Sequence, residues 1–233
     1  MKREESVMKK IDQHFIRITI MALIMSLISS GCSFFGKSSV EELSYQLITK
    51  QEDKEIRKYA QHLVATTTIN GNFKEAQSVG FKILADYIFG NNKSRKKIAM
   101  TAPVVQKSES EKISMTAPVV ISKNENKTWS MTFSMPSEFT IETLPLPNDE
   151  RIKIEKIEEK FFAALRFTGF WNESKNAKKG IELTQWLKNH PNYEIISQPM
   201  FAGYNPPWTL PFFRRNEMLI ELKKTGKPIK KSR

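Results

Sequence analysis

A near-repeat decides the fold: residues 97–105 read KIAMTAPVV, residues 112–120 read KISMTAPVV, and WSMTFSM follows at 129–135. Successive side chains of a β-strand point to opposite faces of its sheet. Alternate residues of the three segments are mostly apolar, and the other face of the third carries serine and threonine. The predicted apolar face comprises Ile98, Met100, Ala102 and Val104, then Ile113, Met115, Ala117, Val119 and Ile121, then Trp129, Met131, Phe133 and Met135. The pattern predicts three antiparallel strands with one methionine-rich apolar face.

Proline occupies the same place in both copies of the repeat, at Pro103 and Pro118. Because proline cannot donate a hydrogen bond to a sheet, each predicts an edge, a bulge or a bend. Two interpretations follow. Either the strands end in small residues packed beneath a helix, or a bent strand pair opens the mouth of an apolar pocket.

Length and composition set the outer bounds. The chain has 233 residues, enough for one good-sized domain and an appendage, and 39% of them are hydrophobic, enough for a core. The formal net charge of +12 fits either an anionic partner or a solvated basic surface. A single cysteine excludes an internal disulfide, and the three histidines lack the paired spacing of a metal site, so we predict none.

The first 31 residues have the features of an export signal. A basic region precedes the apolar run Ile18–Ile28, which is shorter than the ~20 residues that a spanning helix needs. Ser-Ser-Gly then precedes Cys32, which resembles the lipobox of bacterial lipoproteins, although Ser29 stands where leucine is preferred. We therefore predict a signal peptide (1–31), lipidation at Cys32 and a tether (32–42). This places the protein in the cell envelope facing the periplasm, and Ser33 favours the outer membrane; the alternative is an ordinary signal peptide with an incidental cysteine.

The remaining chain predicts strands, a helix and strands, and then the same order again. Asn72 and Asn172 are predicted helix caps. The first helix is predicted to bury one stripe, Phe73, Ala76, Gly80, Ile83, Leu84, Tyr87 and Ile88, and the second is predicted to bury Ala177, Ile181, Thr184 and Leu187 on one side. Residues 55–68 read as one strand. Two such α+β units can close into a sheet or barrel with one helix against each half. We predict one folded domain over 43–222 and a basic disordered tail over 223–233.

Few residue patterns point to catalysis or to nucleic acid. No Ser-His-Asp order and no glycine-rich phosphate loop stands out, and Glu158 and Glu159 would lie on opposite faces of a strand, so no enzyme is predicted. Nucleic-acid binding has only net charge in its favour. The methionines of the repeat follow a basic loop at residues 93–97. Adaptable methionine side chains beside such a basic segment suit either irregular core packing or a flat apolar ligand with acidic tails.

The order of motifs resembles the SOUL haem-binding protein family over residues 43–222. The motifs are EIRKY at 55–59, YIFGNN at 87–92, the doubled MTAPV, and AGYNPP at 202–207. The resemblance implies a twisted antiparallel β-barrel, made of two similar halves, with two flanking helices. It also implies non-catalytic binding of haem or another tetrapyrrole in an apolar groove near the first helix.

On this resemblance, the expected ligand contacts are Tyr59, His62, Phe81, Lys96, Lys97, Met100 and Met115. Phe81 and the methionines would form the floor of the groove, the lysines would hold the propionates, and His62 is the candidate iron ligand. An axial bond is not required, since contact over roughly 40 heavy atoms could contribute about 12 kcal/mol. Two other functions stay open: an envelope interaction module using the loop 206–213, and a small-molecule hydrolase.

Overall fold

A computed structural model describes residues 40–95, 110–170, 172–206 and 208–225. Fourteen strands, two α-helices and one short 3₁₀ helix (Pro211–Phe213) lie within these residues. The strands are β1 (Glu41–Glu42), β2 (Tyr45–Gln51), β3 (Lys54–Tyr59), β4 (His62–Ile69), β5 (Asn92–Lys93), β6 (Thr116–Ala117), β7 (Val119–Lys123), β8 (Trp129–Ser134), β9 (Leu146–Pro147), β10 (Ile152–Ile157), β11 (Lys160–Phe167), β12 (Tyr193–Ile195), β13 (Met200–Gly203) and β14 (Asn216–Lys224). The helices are α1 (Phe73–Ile88) and α2 (Glu173–Leu187). None of the helices in these ranges is both long and apolar enough to cross a membrane.

Ten strands form one curled antiparallel sheet in the order β10-β4-β8-β7-β13-β14-β11-β3-β2, with β12 also paired to β14. The two halves meet where β7 pairs with β13, and there Ile121 lies opposite Phe201. Helix α1 packs on β4 and β8 in one half, and α2 packs on β14 and β11 in the other. The predicted fold class, an α+β barrel-like sheet of two halves with one helix each, is confirmed.

The segment predicted as one strand over 55–68 is two strands, so that prediction is wrong. Ala60 and Gln61 interrupt it, and the flanking strands lie at opposite ends of the sheet path: β3 pairs with β11 and β2, whereas β4 pairs with β10 and β8. Glu158 and Glu159 separate β10 from β11 in the same way. Because both crossovers join one end of the path to the other, they bend the sheet around its concave face.

Proline interrupts the second copy of the repeat, as predicted. Pro118 separates β6 from β7 and follows a cis peptide bond. Val119 and Ile121 pack with the core beneath the helices, whereas Ala117 belongs to a smaller cluster on the other face. The prediction that Ala117 and Val119 share a face is therefore wrong, because the alternation does not continue across the interruption. The first copy of the repeat, including Pro103, lies outside the described residues.

Helix α1 follows its predicted pattern closely. The Asn72 side chain accepts a hydrogen bond from the Glu75 amide, and the Glu75 carboxylate accepts one from the Asn72 amide, which completes a capping box. Gly90, with a positive φ, follows the last turn. The predicted stripe of Phe73, Ala76, Gly80, Ile83, Leu84, Tyr87 and Ile88 is buried. A Cβ on Gly80 would lie 3.0 Å from the Met131 Cβ, so the missing side chain allows close packing on β8.

Helix α2 begins after Asn172, which accepts a hydrogen bond from the Lys175 amide at 2.8 Å. Its buried residues are Asn176, Gly180, Leu183, Trp186 and Leu187. The predicted stripe is therefore correct only at Leu187: Ala177 and Ile181 are exposed, and Thr184 is half-buried. Gly180 decides the rotation of the helix, because a Cβ there would lie 2.9 Å from the Pro199 ring. Strand β14 also runs two residues past the predicted start of the disordered tail.

Candidate ligand-binding site

The concave face of the sheet encloses a cavity of about 300 Å³. Alternate residues of β4, β7 and β8 point into it, together with residues from β10, β11, β13 and β14. Its apolar lining is Leu43, Val64, Pro118, Val120, Ile157, Phe162, Met200 and Leu219. Its polar lining is Tyr59, His62, Thr66, Ser122, Ser130, Thr132, Ser134, Glu155, Lys160 and Glu221. The serine and threonine face of β8 is thus part of the cavity wall.

A second groove of about 400 Å³ adjoins this cavity. Leu43 and His62 line both spaces, and the groove continues along Ala60–Leu63, Met135–Ser137 and Phe139–Glu142. Small-molecule sites in proteins are typically ~300–1,000 Å³ and mostly apolar, with a few polar groups that orient the ligand. The two spaces together fall within that range, with His62 at their junction.

The His62 ring is oriented by the crossover that precedes it. Its Nδ1 atom lies 2.8 Å from the carbonyl oxygen of Ala60. Because a carbonyl oxygen can only accept, the Nδ1 atom carries the proton and donates it. Burial lowers the pKa of His62, and the charge of Lys160 lowers it further, although the Ala60 carbonyl opposes this. The neutral ring therefore keeps its lone pair on Nε2, which is the form that coordinates metals.

Tyr59 connects the cavity to a buried ion cluster that the sequence analysis missed. The Arg57 guanidinium donates to the Tyr59 hydroxyl at 3.1 Å and to both oxygens of Glu217 at 2.6 and 3.0 Å. The Tyr204 hydroxyl donates to Glu217 at 2.7 Å, and Arg215 donates to it at 2.9 Å. The only sequence signal is period two: Arg57 and Tyr59 share one strand face.

Two arginines keep Glu217 ionised although its side chain is fully buried. Burial alone would raise its pKa, but the hydrogen bonds and charges of Arg57 and Arg215 outweigh burial and hold the pKa below its usual value. Burial, followed by the charge of Glu217, raises the pKa of Tyr204 well above its usual value. The ion cluster is therefore a set of paired charges buried beside the cavity.

The edge of the cavity carries a partly exposed ion pair. Lys160 Nζ lies 2.8 Å from the Glu221 carboxylate, and both side chains retain access to solvent. Glu221 lies on the same strand face as Glu217, four residues further along β14. A cation at this edge can meet an acidic group on a ligand in the cavity.

The structure brings together only part of the predicted ligand-contacting set. Tyr59 and His62 line the concave cavity. Phe81 instead packs on Phe133 with ring centroids 5.6 Å apart, and Met115 is half-buried against the core beneath the helices. Lys96, Lys97 and Met100 lie outside the described residues, as does Cys32, so their predicted roles stay predictions.

Helix α1 covers the methionine-rich face of the sheet among the described residues. Met131 is 1% exposed and Met135 is 4% exposed, because α1 covers the β4–β8 part of the sheet. The methionines of this part of the sheet therefore belong to the core, whereas Pro118 of the repeat lines the concave cavity. The accessible space lies on the opposite face, where Met200 is the thioether in the lining.

The donor types at the cavity suit a haem. Proteins hold haem iron through histidine, methionine or tyrosine side chains, and His62, Met200 and Tyr59 all line the cavity. Val64, Val120 and Leu219 supply apolar wall, and Lys160 supplies a cation at the edge. No group of three or more His, Cys, Asp or Glu side chains that could bind a bare metal ion occurs in the ranges that the structure describes.

The structure is an α+β protein in which a curled antiparallel sheet carries a helix on each half and encloses a cavity on its concave face. The family model "SOUL heme-binding protein" matches residues 40–111 and 105–221. The chain therefore belongs to the SOUL haem-binding protein family. Its two matched segments together span the curled sheet except for the last three residues of β14.

Curated relatives agree with this assignment. Heme-binding protein 1 of Xenopus tropicalis is 28% identical over 195 residues, covering 80% of this chain and 93% of the relative. Heme-binding protein 2 of Mus musculus is 28% identical over 169 residues, covering 71% and 76%. Among solved structures, the C-terminal domain of EcmrR aligns with a TM-score of 0.50 and 13% identity, covering 78% of this chain and 99% of that domain. The last similarity shows the fold alone.

Proposed function

We propose that this protein binds haem or a related tetrapyrrole without catalysing a reaction, in the concave cavity and the groove that adjoins it. The observation that carries the proposal is the position of His62, which lines both the cavity and the adjoining groove. Membership of a haem-binding family and two curated relatives named for haem binding support the ligand class.

Several side chains would hold the ligand. The apolar wall of Val64, Val120 and Leu219 would contact the flat body of the tetrapyrrole, and Lys160 would meet a propionate at the cavity edge. When bound, haem supplies an iron centre that His62 can ligate from Nε2. Contact alone has a ceiling of about 12 kcal/mol for roughly 40 heavy atoms, so the ligation adds selectivity for the metal-containing tetrapyrrole rather than all of the affinity.

A haem titration of the full chain in mild detergent tests the function. We expect a saturable Soret absorbance change with unit stoichiometry. His62→Ala should shift the Soret maximum, because the axial ligand changes, while binding persists. A featureless, non-saturating response equal to that of an unrelated basic protein would refute the proposal.

Two matched variants test the location. Thr66 and Thr68 lie on the same face of β4, but only Thr66 lines the cavity, and Thr68 is exposed. Thr66→Phe fills the space and should weaken haem binding at least tenfold, whereas Thr68→Phe should not. If both variants bind haem as the wild type does while Phe81→Ser weakens binding, the site lies beside α1 and the concave location is wrong.

We also infer that the domain is exported and held at the cell envelope by a lipid on Cys32, facing the periplasm. The basic region, the Ile18–Ile28 run and Ser-Ser-Gly-Cys support this proposal. Mass spectrometry of the mature protein should find an acylated cysteine at its N-terminus, and Cys32→Ser should prevent that. A mature chain that begins elsewhere, with Cys32 unmodified or absent, would contradict it.

A further inference from the structure

One end of the folded domain exposes a cluster of large apolar side chains. Phe170 is 67% exposed, Trp208 is 62% exposed and Phe212 is 63% exposed, and Leu210 and Phe213 are exposed beside them. We call these five residues the aromatic end. Scattered exposed apolar residues are ordinary, but a contiguous group of this kind typically marks a contact surface.

Hydrogen bonds hold the two segments of the aromatic end together. The amide of Gly169, next to Phe170, donates to the carbonyl of Pro211 at 2.8 Å. The side chain of Asn216 donates to the Gly169 carbonyl at 2.9 Å, and Arg214 donates to the Thr209 carbonyl at 2.7 Å. The cluster is therefore a shaped feature of the domain rather than an unstructured loop.

Two cations lie at the aromatic end. The Arg214 guanidinium lies 5.7 Å from the centroid of the exposed Phe170 ring, and Lys175 Nζ donates at 2.8 Å to the carbonyl of Thr168, two residues before Phe170. Of the nearby acids, Glu42 is paired with Arg215 at 2.7 Å, and Glu173 lies at the start of α2. Aromatic rings beside arginine and lysine are the composition found at the headgroup level of membranes, where the lipids are often anionic.

The N-terminal segment joins the domain at this same end. Glu42 of β1 pairs with Arg215, and Arg215 is the residue directly after Arg214. Cys32 is eight residues before Val40 (40 − 32), which an extended chain spans in at most about 28 Å. A lipid on Cys32 would therefore keep a bilayer within that distance of Val40.

We propose that the aromatic end inserts into the headgroup region of a bilayer that contains anionic lipid. The rings contribute apolar burial and Arg214 and Lys175 contribute attraction to the lipid phosphates. A second membrane contact on a lipid-anchored molecule strengthens attachment by raising the effective concentration. The proposal does not rest on haem binding.

A second copy of the chain fits this surface less well. Pairing two aromatic ends would bring Arg214 and Lys175 of one copy towards the same cations of the other, and like charges across an interface oppose association. An anionic bilayer meets the same cations with opposite charge. Charge complementarity therefore favours the lipid surface as the occupant.

A site-specific label separates insertion of the aromatic end from attachment through the N-terminus. The full chain with Cys32→Ser receives one new cysteine, Phe212→Cys or Phe89→Cys, carrying an environment-sensitive fluorophore. Phe89 is a matched control because it is 64% exposed and follows the last turn of α1. Asn72, at the opposite end of α1 from Phe89, lines one shallow pocket together with Asn172, which lies two residues from Phe170 of the aromatic end. Phe89 therefore lies about 25 Å from Asn72 along the axis of α1.

With vesicles of phosphatidylethanolamine and phosphatidylglycerol, the label at position 212 should shift to the blue and be quenched by lipids with a nitroxide near the headgroup. The label at position 89 should stay in water and be quenched by iodide. The double variant Trp208→Ser/Phe212→Ser is labelled through Leu210→Cys. Its fluorescence response to lipid should be at least tenfold smaller than that of the protein carrying Leu210→Cys alone, because apolar burial is lost, and it should still bind haem as the wild type does.

Equal responses at positions 212 and 89 would overturn the proposal. A response at position 212 that depends on protein concentration and not on lipid would overturn it too, and would assign the surface to a second copy. Neither result would affect the haem titration, so failure of this proposal and failure of the proposed function are distinguishable.

Discussion

The two faces of the curled sheet are built from the same strands but differ in chemistry. On the helix side, β4 and β8 contribute Leu63, Ala65, Met131 and Phe133 to one continuous core. On the concave side, the residues between them, such as Thr66 and Thr132, line a cavity beside a buried ion cluster. The apolar face is covered by a helix, and the face of mixed polar and apolar side chains encloses the cavity.

This difference shows that hydrophobic alternation assigns residues to a face but does not say which face is open. The greasy side of β8 attracts a helix because covering it removes apolar surface from water. Once α1 covers that side, the curvature of the sheet turns the serine and threonine side inwards. A pocket with mixed lining is the result, and such a lining can both pack a flat ligand and orient its polar groups.

The largest effect should come from removing the charge at the centre of the concave side. Glu217→Gln leaves Arg57 and Arg215 without their shared carboxylate in a site that excludes water. We expect the free energy of unfolding to fall by about 3–5 kcal/mol, measured by urea denaturation. Glu221→Gln is the control, since it has the same residue type on the same face of β14 but a partly exposed partner.

The control should cost only about 0–1 kcal/mol, because exposed ion pairs contribute little. Equal losses for Glu217→Gln and Glu221→Gln would show that burial of the cluster does not decide its energetic role. In that case the buried Glu217 cluster and the partly exposed Lys160–Glu221 pair would not differ in their contribution to stability.

A smaller effect is expected on the helix side. Met131 is almost fully buried against Gly80, so Met131→Ala should cost about 2–4 kcal/mol of unfolding free energy through lost burial and a new cavity. Haem affinity should stay unchanged.

Thr132, the residue after Met131, faces the cavity, and its hydroxyl lies 2.9 Å from that of Thr66. The opposite result is expected here: Thr132→Phe should weaken haem binding with a smaller loss of stability.

Both variants are measured by urea denaturation and by haem titration. A loss of haem affinity in Met131→Ala that persists under conditions where the variant is fully folded would break the proposed separation of the two faces. Unchanged haem affinity in Thr132→Phe would remove the concave cavity from consideration.

The smallest effect concerns pH. Burial holds the pKa of His62 below its unfolded value of ~6.5, so the unfolded chain binds a proton that the folded chain resists. Stability should therefore fall as pH drops below ~6.5 and be unaffected by this group at higher pH. Urea titrations at pH 7.5 and 5.5 should show a smaller difference for His62→Asn than for the wild type; an identical difference would contradict the assignment.

Much of the local structure was predictable because it depends on short-range chemistry. The Asn72 and Asn172 caps, the buried stripe of α1 and the interruption at Pro118 all follow from neighbouring residues. Two predictions failed where a distant contact decides. Gly180 rotates α2 towards Pro199, and Ala60 and Gln61 send β3 and β4 to opposite ends of the sheet path.

The candidate site was predicted only in part for the same reason. Tyr59 and His62 flank the crossover at Ala60 and Gln61. The resemblance implies a histidine directly after Tyr59, where this chain has Ala60, so His62 was predicted from its position two residues further on. The ion cluster joins Arg57 to Glu217 across 160 residues of chain, and no local pattern connects these two positions. Phe81 and Met115 pack against the core beneath the helices, and their contact with a ligand stays a prediction; in sequence, apolar side chains look alike whether they face a ligand or a core.

The sequence by itself determined the family, the two-helix architecture and the partition of each strand into two faces, since these follow from periodicity and from motifs that span a few residues. Only the tertiary structure decided which face each helix covers, where the cavity lies and which charges meet beneath it. Those outcomes depend on the curvature of the whole sheet, and that curvature arises from pairings between strands far apart in the chain.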